Sequence, residues 1–438
     1  MTSFAKAAAA ATMMISALTS GAALAQTIVI TNAEIYTASN GGDAPAKIEN
    51  GTIVVRNGSI SAMGADVAAP TGAVVIDAQG RIVTPGIIAP MSSIGLVEIG
   101  GDRESNDAGP RSGFSLGAAL DARDAFNPSS TLIDVNRAGG VTRALAAPSP
   151  GDSLFGGQGA VINLSGLPGS LVKPQAAQIV AMGYSGAART GDTRMGAWLT
   201  LRDTLDETRR YGQNPREYRR AADERFAYSD LEALLPVLNG EQPLFISANG
   251  ANDLRNVIRL KTDYPTIRMM VVGGAEAWRV ARALAAANIP VILDPFANLP
   301  GQFERLGATL ENAARLNEAG VSIAFYNPPG FGAHNLRALT QMAGNAVANG
   351  LPYEAAIAAL TANPARMLGI DDRYGALGVG KGADLVIWDG DPLEVTARPV
   401  TVIIDGRVTS LQTRQTRLRE RYKDLSRGDL PHAYRGEN

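Results

Sequence analysis

Residues 77–93 read DAQGRIVTPGIIAPMSS, and this stretch separates two different rhythms of the sequence. Before it, short β-rich runs alternate with turn residues, and residues 51–58 and 59–63 predict a hairpin around an Asn-Gly turn. After Pro85, apolar runs of strand length alternate with longer helical patterns. The stretch therefore predicts the border between a small β domain and a larger α/β domain.

The larger part of the chain has the pattern of a (β/α)8 barrel. Seven barrel strands are predicted, at residues 87–89, 141–146, 160–164, 244–247, 269–272, 291–293 and 321–325. Helices are predicted between and after them, for example at 275–287 and 336–348. The eighth strand is expected between residues 171 and 235, where a charged helical insert at 201–211 also lies. The length suits a barrel, which typically needs ~250 residues.

Near the end of the chain the β rhythm returns, in residues 375–390 and 401–405. The simplest arrangement is a β-sandwich built from both chain ends, with the barrel inserted in it. The predicted division is a signal peptide (1–25), the N-terminal part of the sandwich (26–85), the barrel (86–374), the C-terminal part of the sandwich (375–410) and a charged helical tail (411–438).

The first 25 residues have the pattern of a secretory signal peptide. Lys6 precedes an apolar run at 7–18, and the segment ends in the small-x-small residues 23–25. We expect cleavage near Ala25 and a periplasmic or secreted mature protein; a buried first helix is the alternative. No later stretch reaches the ~18 consecutive apolar residues of a membrane span, and a net charge of −2 disfavours nucleic acid as a partner.

An ordered set of motifs resembles the amidohydrolase superfamily and its imidazolonepropionase-like branch. The motifs are residues 77–81 (DAQGR), 85–88 (PGII), 140–142 (GVT), 156–162 (GGQGAVI), 194–196 (RMG), 361–369 (TANPARMLG) and 380–386 (GKGADLV). The resemblance covers essentially the whole mature chain. It implies a site for zinc or a similar divalent metal at the C-terminal ends of the barrel strands, where bound water attacks an amide or ring C–N bond.

The positions that the resemblance assigns to metal ligands carry other residues in this chain. The family pattern places a His-x-His pair at the end of the first barrel strand, single histidines after the fifth and sixth, and an aspartate after the eighth. The matching positions are Met91 and Ser93, Ser247 (or Asn249), Gly273 and Asn327. The strand-four ligand cannot be assigned, although Lys173 lies nearby in sequence.

The histidine count leads to the same conclusion. The chain contains two histidines, His334 and His432, and no cysteine. A thioether, hydroxyls, a glycine and an amide are poor ligands for zinc. We therefore predict that the conventional metal site and its metal cofactor are absent.

Two residues remain candidates for acid–base chemistry or ligand contact. His334 follows the last barrel strand and should lie near the barrel mouth; otherwise it is a loop histidine bonded to backbone or water. Asp294 ends the seventh strand, and its alternative is a turn aspartate before Pro295. A charged loop with Glu98, Asp102, Arg103, Glu104 and Asp107 is interpreted as solvated, residues 156–159 as a tight loop, and Asp384 as structural.

Three functions remain open. The first is a pseudoenzyme that acts as a structural or ligand-binding partner of an intact, co-exported homologue, in a homo- or hetero-oligomer. The second is a hydrolase of non-peptide C–N bonds, on a cyclic amide or dipeptide-like substrate, with an atypical site. The third is a periplasmic binding module for a small polar ligand. The first is favoured because the ligand positions changed while the scaffold motifs remain.

Overall fold

The structure is a computed structural model that describes residues 27–39, 45–221, 226–328 and 333–423. The predicted signal peptide, His432 and the end of the predicted tail lie outside these residues. The strands are β1 (Ile28–Tyr36), β2 (Lys47–Arg56), β3 (Ser59–Gly64), β4 (Val74–Asp77), β5 (Ile82–Pro85), β6 (Ile87–Ser92), β7 (Val141–Ala146), β8 (Phe155–Asn163), β9 (Leu171–Ala181), β10 (Leu244–Ala248), β11 (Met269–Gly273), β12 (Val291–Leu293), β13 (Ile323–Phe325), β14 (Leu385–Trp388), β15 (Pro399–Ile404) and β16 (Arg407–Val408). The helices are α1 (Thr131–Arg137), α2 (Gly183–Ala187), α3 (Arg194–Gln213), α4 (Pro215–Ala221), α5 (Tyr228–Leu238), α6 (Ala251–Asp263), α7 (Ala281–Ala286), α8 (Asn312–Glu318), α9 (Leu339–Ala348), α10 (Tyr353–Leu360), α11 (Ala362–Leu368) and α12 (Arg414–Tyr422).

Strands from both ends of the chain form the small β domain, as predicted. Its sheet has the order β16-β15-β14-β5-β1-β2-β3, and β4 also pairs with β1. The two chain ends join where β14 pairs antiparallel with β5, with Leu385 opposite Pro85. Residues from both ends share one apolar core, among them Ile30, Ile53, Val83, Leu385 and Ile403. Burial of this shared apolar surface holds the composite β-sandwich together.

The remaining strands form a nearly closed barrel sheet in the order β6-β7-β8-β9-β10-β11-β12-β13. The seven predicted barrel strands are present, and β9 is the eighth, inside the predicted interval. Successive residues of a strand point to opposite faces. Phe245, Met270, Ile292 and Ala324 accordingly share the core inside the barrel, while their sequence neighbours pack against the surrounding helices.

Strand β8 departs from the predicted repeat, because it runs antiparallel to both β7 and β9. The connections before and after it, residues 147–154 and 164–170, contain no helix. A parallel connection needs about a dozen residues or more, so these short loops permit only antiparallel pairing. Residues 156–159 lie within β8, and their prediction as a tight loop was wrong. Their glycines allow a close approach: a Cβ on Gly157 would lie 2.6 Å from the carbonyl oxygen of Leu120.

The predicted helices are present with shifted ends. Those predicted at 275–287 and 336–348 each begin as a 3-10 turn and continue as α7 and α9. The charged insert predicted at 201–211 lies within the longer helix α3, and α12 lies in the described part of the charged tail. Among the described residues, no helix combines the length and apolar character needed to cross a membrane.

A buried ion-pair network fastens the barrel to the sandwich at the N-terminal ends of the barrel strands. Arg143 of β7 is fully buried. Its Nε donates to Asp384 Oδ2 (2.6 Å), and its Nη2 donates to Asp405 Oδ1 (2.6 Å). The guanidinium lies 3.4 Å from the ring centroid of Tyr374, whose hydroxyl donates to Asp405. Asp384 is therefore structural, as predicted.

Candidate functional site

The barrel mouth contains a cavity of about 280 Å³ near the C-terminal ends of β6, β7 and β13. Four residues that the sequence placed at the mouth line it together. They are Met91 and Ser93 at the end of β6, Asn327 after β13, and His334 on the next loop. Ser247, Gly273 and Asp294 end other barrel strands and are not among the described residues that line this cavity.

The cavity wall combines apolar and neutral polar side chains. Met91, Val97 and Ala147 supply apolar surface, and Ser149 and Tyr326 supply hydroxyl groups. Among the described residues, no Asp, Glu, Lys or Arg side chain lines the cavity, and His334 is its one basic lining residue. The cavity therefore suits a small ligand with hydrogen-bonding groups and no strong charge.

The end of β6 is used for packing and strand pairing. Met91 packs against the core inside the barrel. The hydroxyl of Ser92 donates to the carbonyl oxygen of Leu145 (2.9 Å) and so ties β6 to β7. The pairing of these strands also shifts between Ala89 and Ser92. Met91, Ser92 and Ser93 also line the cavity, so this strand end contributes a thioether and two hydroxyl-bearing residues to the mouth.

At the end of β11, a side chain in place of Gly273 would require a strained backbone and a shift of the neighbouring Asn249 amide. Gly273 has a φ of 102°, which favours glycine. A Cβ at this position would lie 2.6 Å from Oδ1 of Asn249. The Asn249 amide is itself fixed, because its Nδ2 donates to Glu304 Oε1 (3.0 Å). The space beside Gly273 is thus filled, while Ser247 on β10 remains half-buried.

Glu304 is a carboxylate at the mouth that the sequence analysis did not single out. Its Oε2 accepts hydrogen bonds from the backbone N–H of Tyr184 (2.8 Å) and from Arg194 Nη2 (3.3 Å), and its Oε1 accepts from Asn249. Its side chain is only 8% exposed. Through these hydrogen bonds, the carboxylate connects the loop after β12 to the residues that follow β9 and β10. No local motif marks Glu304, since its partners are distant in sequence.

Asp294 follows β12 and lies near Arg305 and Tyr326. Its Oδ1 accepts a hydrogen bond from the backbone N–H of Phe296 (2.9 Å), as a turn aspartate does. Burial raises the pKa of Asp294, whereas this hydrogen bond and the charge of Arg305 oppose the rise. Burial also raises the pKa of Tyr326 to about 12, and Arg305 and Asp294 act on it in opposite directions. Burial thus favours the neutral form of both the Asp294 carboxyl and the Tyr326 phenol, which lies in the cavity wall.

His334 is exposed at the cavity rim. None of the hydrogen bonds among the described residues involves its imidazole, so the structure gives it no orienting partner of the kind that a general base uses. The acidic loop borders the cavity through Gly100 and Asn106, but Glu98, Asp102, Arg103, Glu104 and Asp107 are not among the described residues that line it. Glu98 Oε2 accepts from Thr131 N–H and its hydroxyl at the start of α1, and Asp102 accepts from the Ser105 hydroxyl. Arg103, Glu104 and Asp107 are exposed.

Lys173 lies at the opposite end of the barrel from the mouth. It is the third residue of β9, and its Nζ donates to the carbonyl oxygens of Leu368 (2.9 Å) and Gly369 (3.1 Å) at the end of α11. Burial, together with the charge of Arg268, lowers its pKa. Lys173 is therefore a helix-end contact, and the mouth end of β9 finishes in Val180 and Ala181 instead.

The described residues do not fit the metal that the resemblance implies. No group of three or more His, Cys, Asp or Glu side chains within the described ranges could hold a metal ion. The matching positions offer a thioether, hydroxyls, a glycine and an amide, which are poor zinc ligands. No step of a metal-assisted reaction is therefore assigned to these residues.

Comparisons with known proteins agree with this architecture. The sequence model of the amidohydrolase family matches residues 266–410. The amidohydrolase tasK of Hapsidospora irregularis is 26% identical over 391 residues, which cover 81% of this chain and 39% of tasK. This chain thus spans about two fifths of the length of tasK. The imidazolonepropionase of Polaromonas sp. is 35% identical over 136 residues, which cover 29% of this chain and 30% of that protein.

A solved structure extends the similarity to nearly the whole described chain. The amidohydrolase from Thermotoga maritima superposes with a TM-score of 0.76 at 27% identity, covering 87% of this chain and 99% of that protein. The chain therefore belongs to the amidohydrolase superfamily, in its imidazolonepropionase-like branch.

Proposed function

We propose that this amidohydrolase-family chain is non-hydrolytic and acts as a structural or ligand-binding partner of an active homologue. The observation that carries the proposal is the end of β11. There a Cβ on Gly273 would lie 2.6 Å from Oδ1 of Asn249, so an imidazole could not replace the glycine without movement of a fixed amide. A histidine at this position would therefore require the Asn249 side chain to move as well, which supports a site that does not hold the family's metal.

The cavity at the mouth supports a binding role. Its volume of about 280 Å³ is just below the usual range for ligand pockets, roughly 300–1,000 Å³, so only a small ligand would fit. Tyr326, Ser149 and Asn327 offer hydrogen bonds beside the apolar surface of Met91. We therefore expect a small, uncharged polar ligand, bound without turnover.

Export is part of the proposal. The signal-peptide pattern of the first 25 residues supports a periplasmic or secreted location, where a co-exported homologue would be the partner. Intact mass measurement of the protein from the periplasmic fraction tests this point. A mature chain that begins near Gln26 is expected, and a chain that keeps its first 25 residues in the cytoplasm would contradict export.

A hydrolysis panel tests the proposed function. The protein is purified without chelators and assayed, with and without added zinc, on cyclic amides, lactams and dipeptides. We expect no turnover, but saturable binding of a small polar compound, detected as a thermal shift. Turnover that zinc increases would contradict a non-hydrolytic role.

One observation favours a second candidate, a hydrolase with an atypical site. Asp294 has a raised pKa and interacts with Tyr326, which lines the cavity. A carboxylate of this kind can transfer protons in catalysis. If the panel reveals zinc-independent turnover and Asp294 transfers the proton, we expect Asp294→Asn to reduce kcat by about 10²-fold or more. A variant with unchanged kcat would exclude this role for Asp294.

A further inference from the structure

A set of large apolar side chains is exposed on one side of the barrel mouth. We call it the apolar collar, and it consists of Tyr184, Met195, Leu199, Leu299, Phe303 and Leu306, which are 60–91% exposed. They come from α2, from the first turns of α3 and from the loop after β12. Exposed apolar side chains that gather in one place mark an interaction site more often than scattered ones do.

The collar is held in place by buried polar contacts. Phe303, the most exposed member at 91%, lies next to Glu304, whose carboxylate binds the backbone of Tyr184 and the side chain of Arg194. Further along the chain, Gly307 N–H donates to Glu276 Oε1 (2.7 Å). Phe303 therefore projects from the start of a segment that is anchored at Glu304 and again at Gly307.

An arginine-lined groove adjoins the collar. The groove has a volume of about 800 Å³ and lies between α6, α7 and α8. We call it the arginine groove, and its charged lining consists of Arg255, Arg279, Arg282, Arg315 and Glu318. A second cavity of about 420 Å³ is lined by Phe303, by Arg194, Arg255 and Arg279, and by the carboxylates of Asp253, Glu276 and Glu304, so the excess of positive charge lies in the arginine groove itself. Since the two cavities share Arg255 and Arg279, the collar and the groove form one continuous surface.

Within the described ranges, three of the four arginines in the groove have no carboxylate partner, although two of the four pack near Trp278. The Cζ atoms of Arg279 and Arg315 lie 5.0 and 4.5 Å from the ring centroid of Trp278. Arg315 pairs with Glu311, but within the described ranges Arg255, Arg279 and Arg282 form no ion pair with a carboxylate. Guanidinium groups in this state bind carboxylates well, because their planar donors match the two carboxylate oxygens.

We propose that the collar and the groove dock an acidic polypeptide segment that carries apolar anchor residues. Charge complementarity indicates the kind of partner. The excess positive charge of the groove matches acidic side chains, and the exposed apolar side chains of the collar match apolar anchor residues beside them. A nucleic acid would satisfy the arginines but would leave the collar uncovered. The inference uses the partner role proposed above only to suggest which protein carries the segment, and it concerns a different surface from the cavity.

Fluorescence anisotropy with short labelled peptides tests this inference. One peptide combines glutamates with leucines, a second replaces each glutamate by lysine, and a third replaces each leucine by serine. We expect the full-length protein to bind the first peptide at least about tenfold more tightly than either of the others. Binding should weaken as salt rises, because the arginines and the partner carboxylates are solvent-exposed before docking.

Two variants locate the binding surface. Phe303→Ser and Arg282→Glu are each expected to weaken the glutamate–leucine peptide about tenfold, with unchanged thermal midpoints, since both side chains are exposed. The matched control is Arg407→Glu with Val408→Ser, two exposed residues at the edge of the sandwich. We expect this control to bind like the wild type.

Several outcomes would overturn the inference. They are equal affinity for the glutamate and lysine peptides, tighter binding of a single-stranded oligonucleotide, no detectable binding, or unchanged affinity in both variants. Self-association that Phe303→Ser abolishes would identify a second copy as the occupant and would also overturn it. These results are independent of the hydrolysis panel. A chain that hydrolyses an amide and still binds the acidic peptide would contradict only the proposed function.

Discussion

The two ends of the barrel differ in how their polar groups are used. At the N-terminal end, Arg143 is buried and shared between Asp384 and Asp405, and it stacks on Tyr374. At the mouth, the positions that the family pattern assigns to metal ligands carry a thioether, hydroxyl groups, an amide and a glycine. The first end joins the barrel to the sandwich through ion pairs, and the second leaves a small neutral cavity.

The scaffold and the site therefore depend on separate residues. The network around Arg143 includes Asp384 and Asp405 from the sandwich, so it requires both chain ends but no residue of the mouth. Loss of the ligand positions therefore leaves the barrel and its attachment to the sandwich intact. The comparison predicts large stability effects at the N-terminal end and small ones at the mouth.

The largest expected effect comes from Arg143→Leu. The substitution leaves the Asp384 carboxylate buried without its cation, so the free energy of unfolding should fall by about 3–5 kcal/mol. Urea unfolding followed by tryptophan fluorescence measures the change. The control Arg209→Leu removes an ion pair with Asp206 whose side chains are about half exposed, and should cost no more than about 1 kcal/mol. Equal losses in both variants would show that the network does not stabilise the fold.

A smaller effect is expected from Glu304→Ala at the mouth. The substitution leaves the backbone N–H of Tyr184 and the amide of Asn249 without their acceptor, so the free energy of unfolding should fall by about 1–3 kcal/mol. Glu304→Gln, which keeps one acceptor oxygen, should lose less. Hydrogen exchange at the Tyr184 N–H reports directly on its hydrogen bond to Glu304. Unchanged protection of this N–H in Glu304→Ala would contradict the contact.

The smallest effect is expected from Asp294→Asn. Because burial raises the pKa of Asp294 in the folded state, the folded protein holds this proton more tightly than the unfolded chain does. The contribution is therefore present below the unfolded pKa and is lost as the pH rises through the folded value. At pH 7 the variant should be as stable as the wild type or more stable, within about 1 kcal/mol. Thermal unfolding from pH 4 to pH 7 measures the difference, and a marked loss in the variant at pH 7 would mean that the Asp294 charge stabilises the fold.

Sequence patterns predicted the fold well where local signals were strong. The Asn57-Gly58 turn of the β2–β3 hairpin was visible because its two positive φ values, 52° and 79°, favour these residue types. The interval for β9 was correct as well. The direction of β8 was not foreseen, because a short buried strand has the same apolar run in a parallel or an antiparallel sheet.

The site was less predictable, because it depends on contacts between distant residues. Proximity to the mouth was expected for Met91, Asn327 and His334, since strand ends of a barrel converge there. Glu304 was missed, because its hydrogen-bond partners lie 55 to 120 residues away. Lys173 was near a plausible position in sequence, but it lies at the other end of the barrel. Spacing alone does not reveal which end of a strand a residue occupies when the strand bounds are unknown.

The metal content of the purified protein tests whether the conventional metal site of the family is absent from this chain. The protein is purified from its native compartment without chelators, equilibrated with zinc, desalted and analysed by elemental mass spectrometry. We expect far less than one transition-metal ion per chain, because neutral side chains and Gly273 occupy the positions of the family ligands. One or two ions bound per chain after desalting would contradict it.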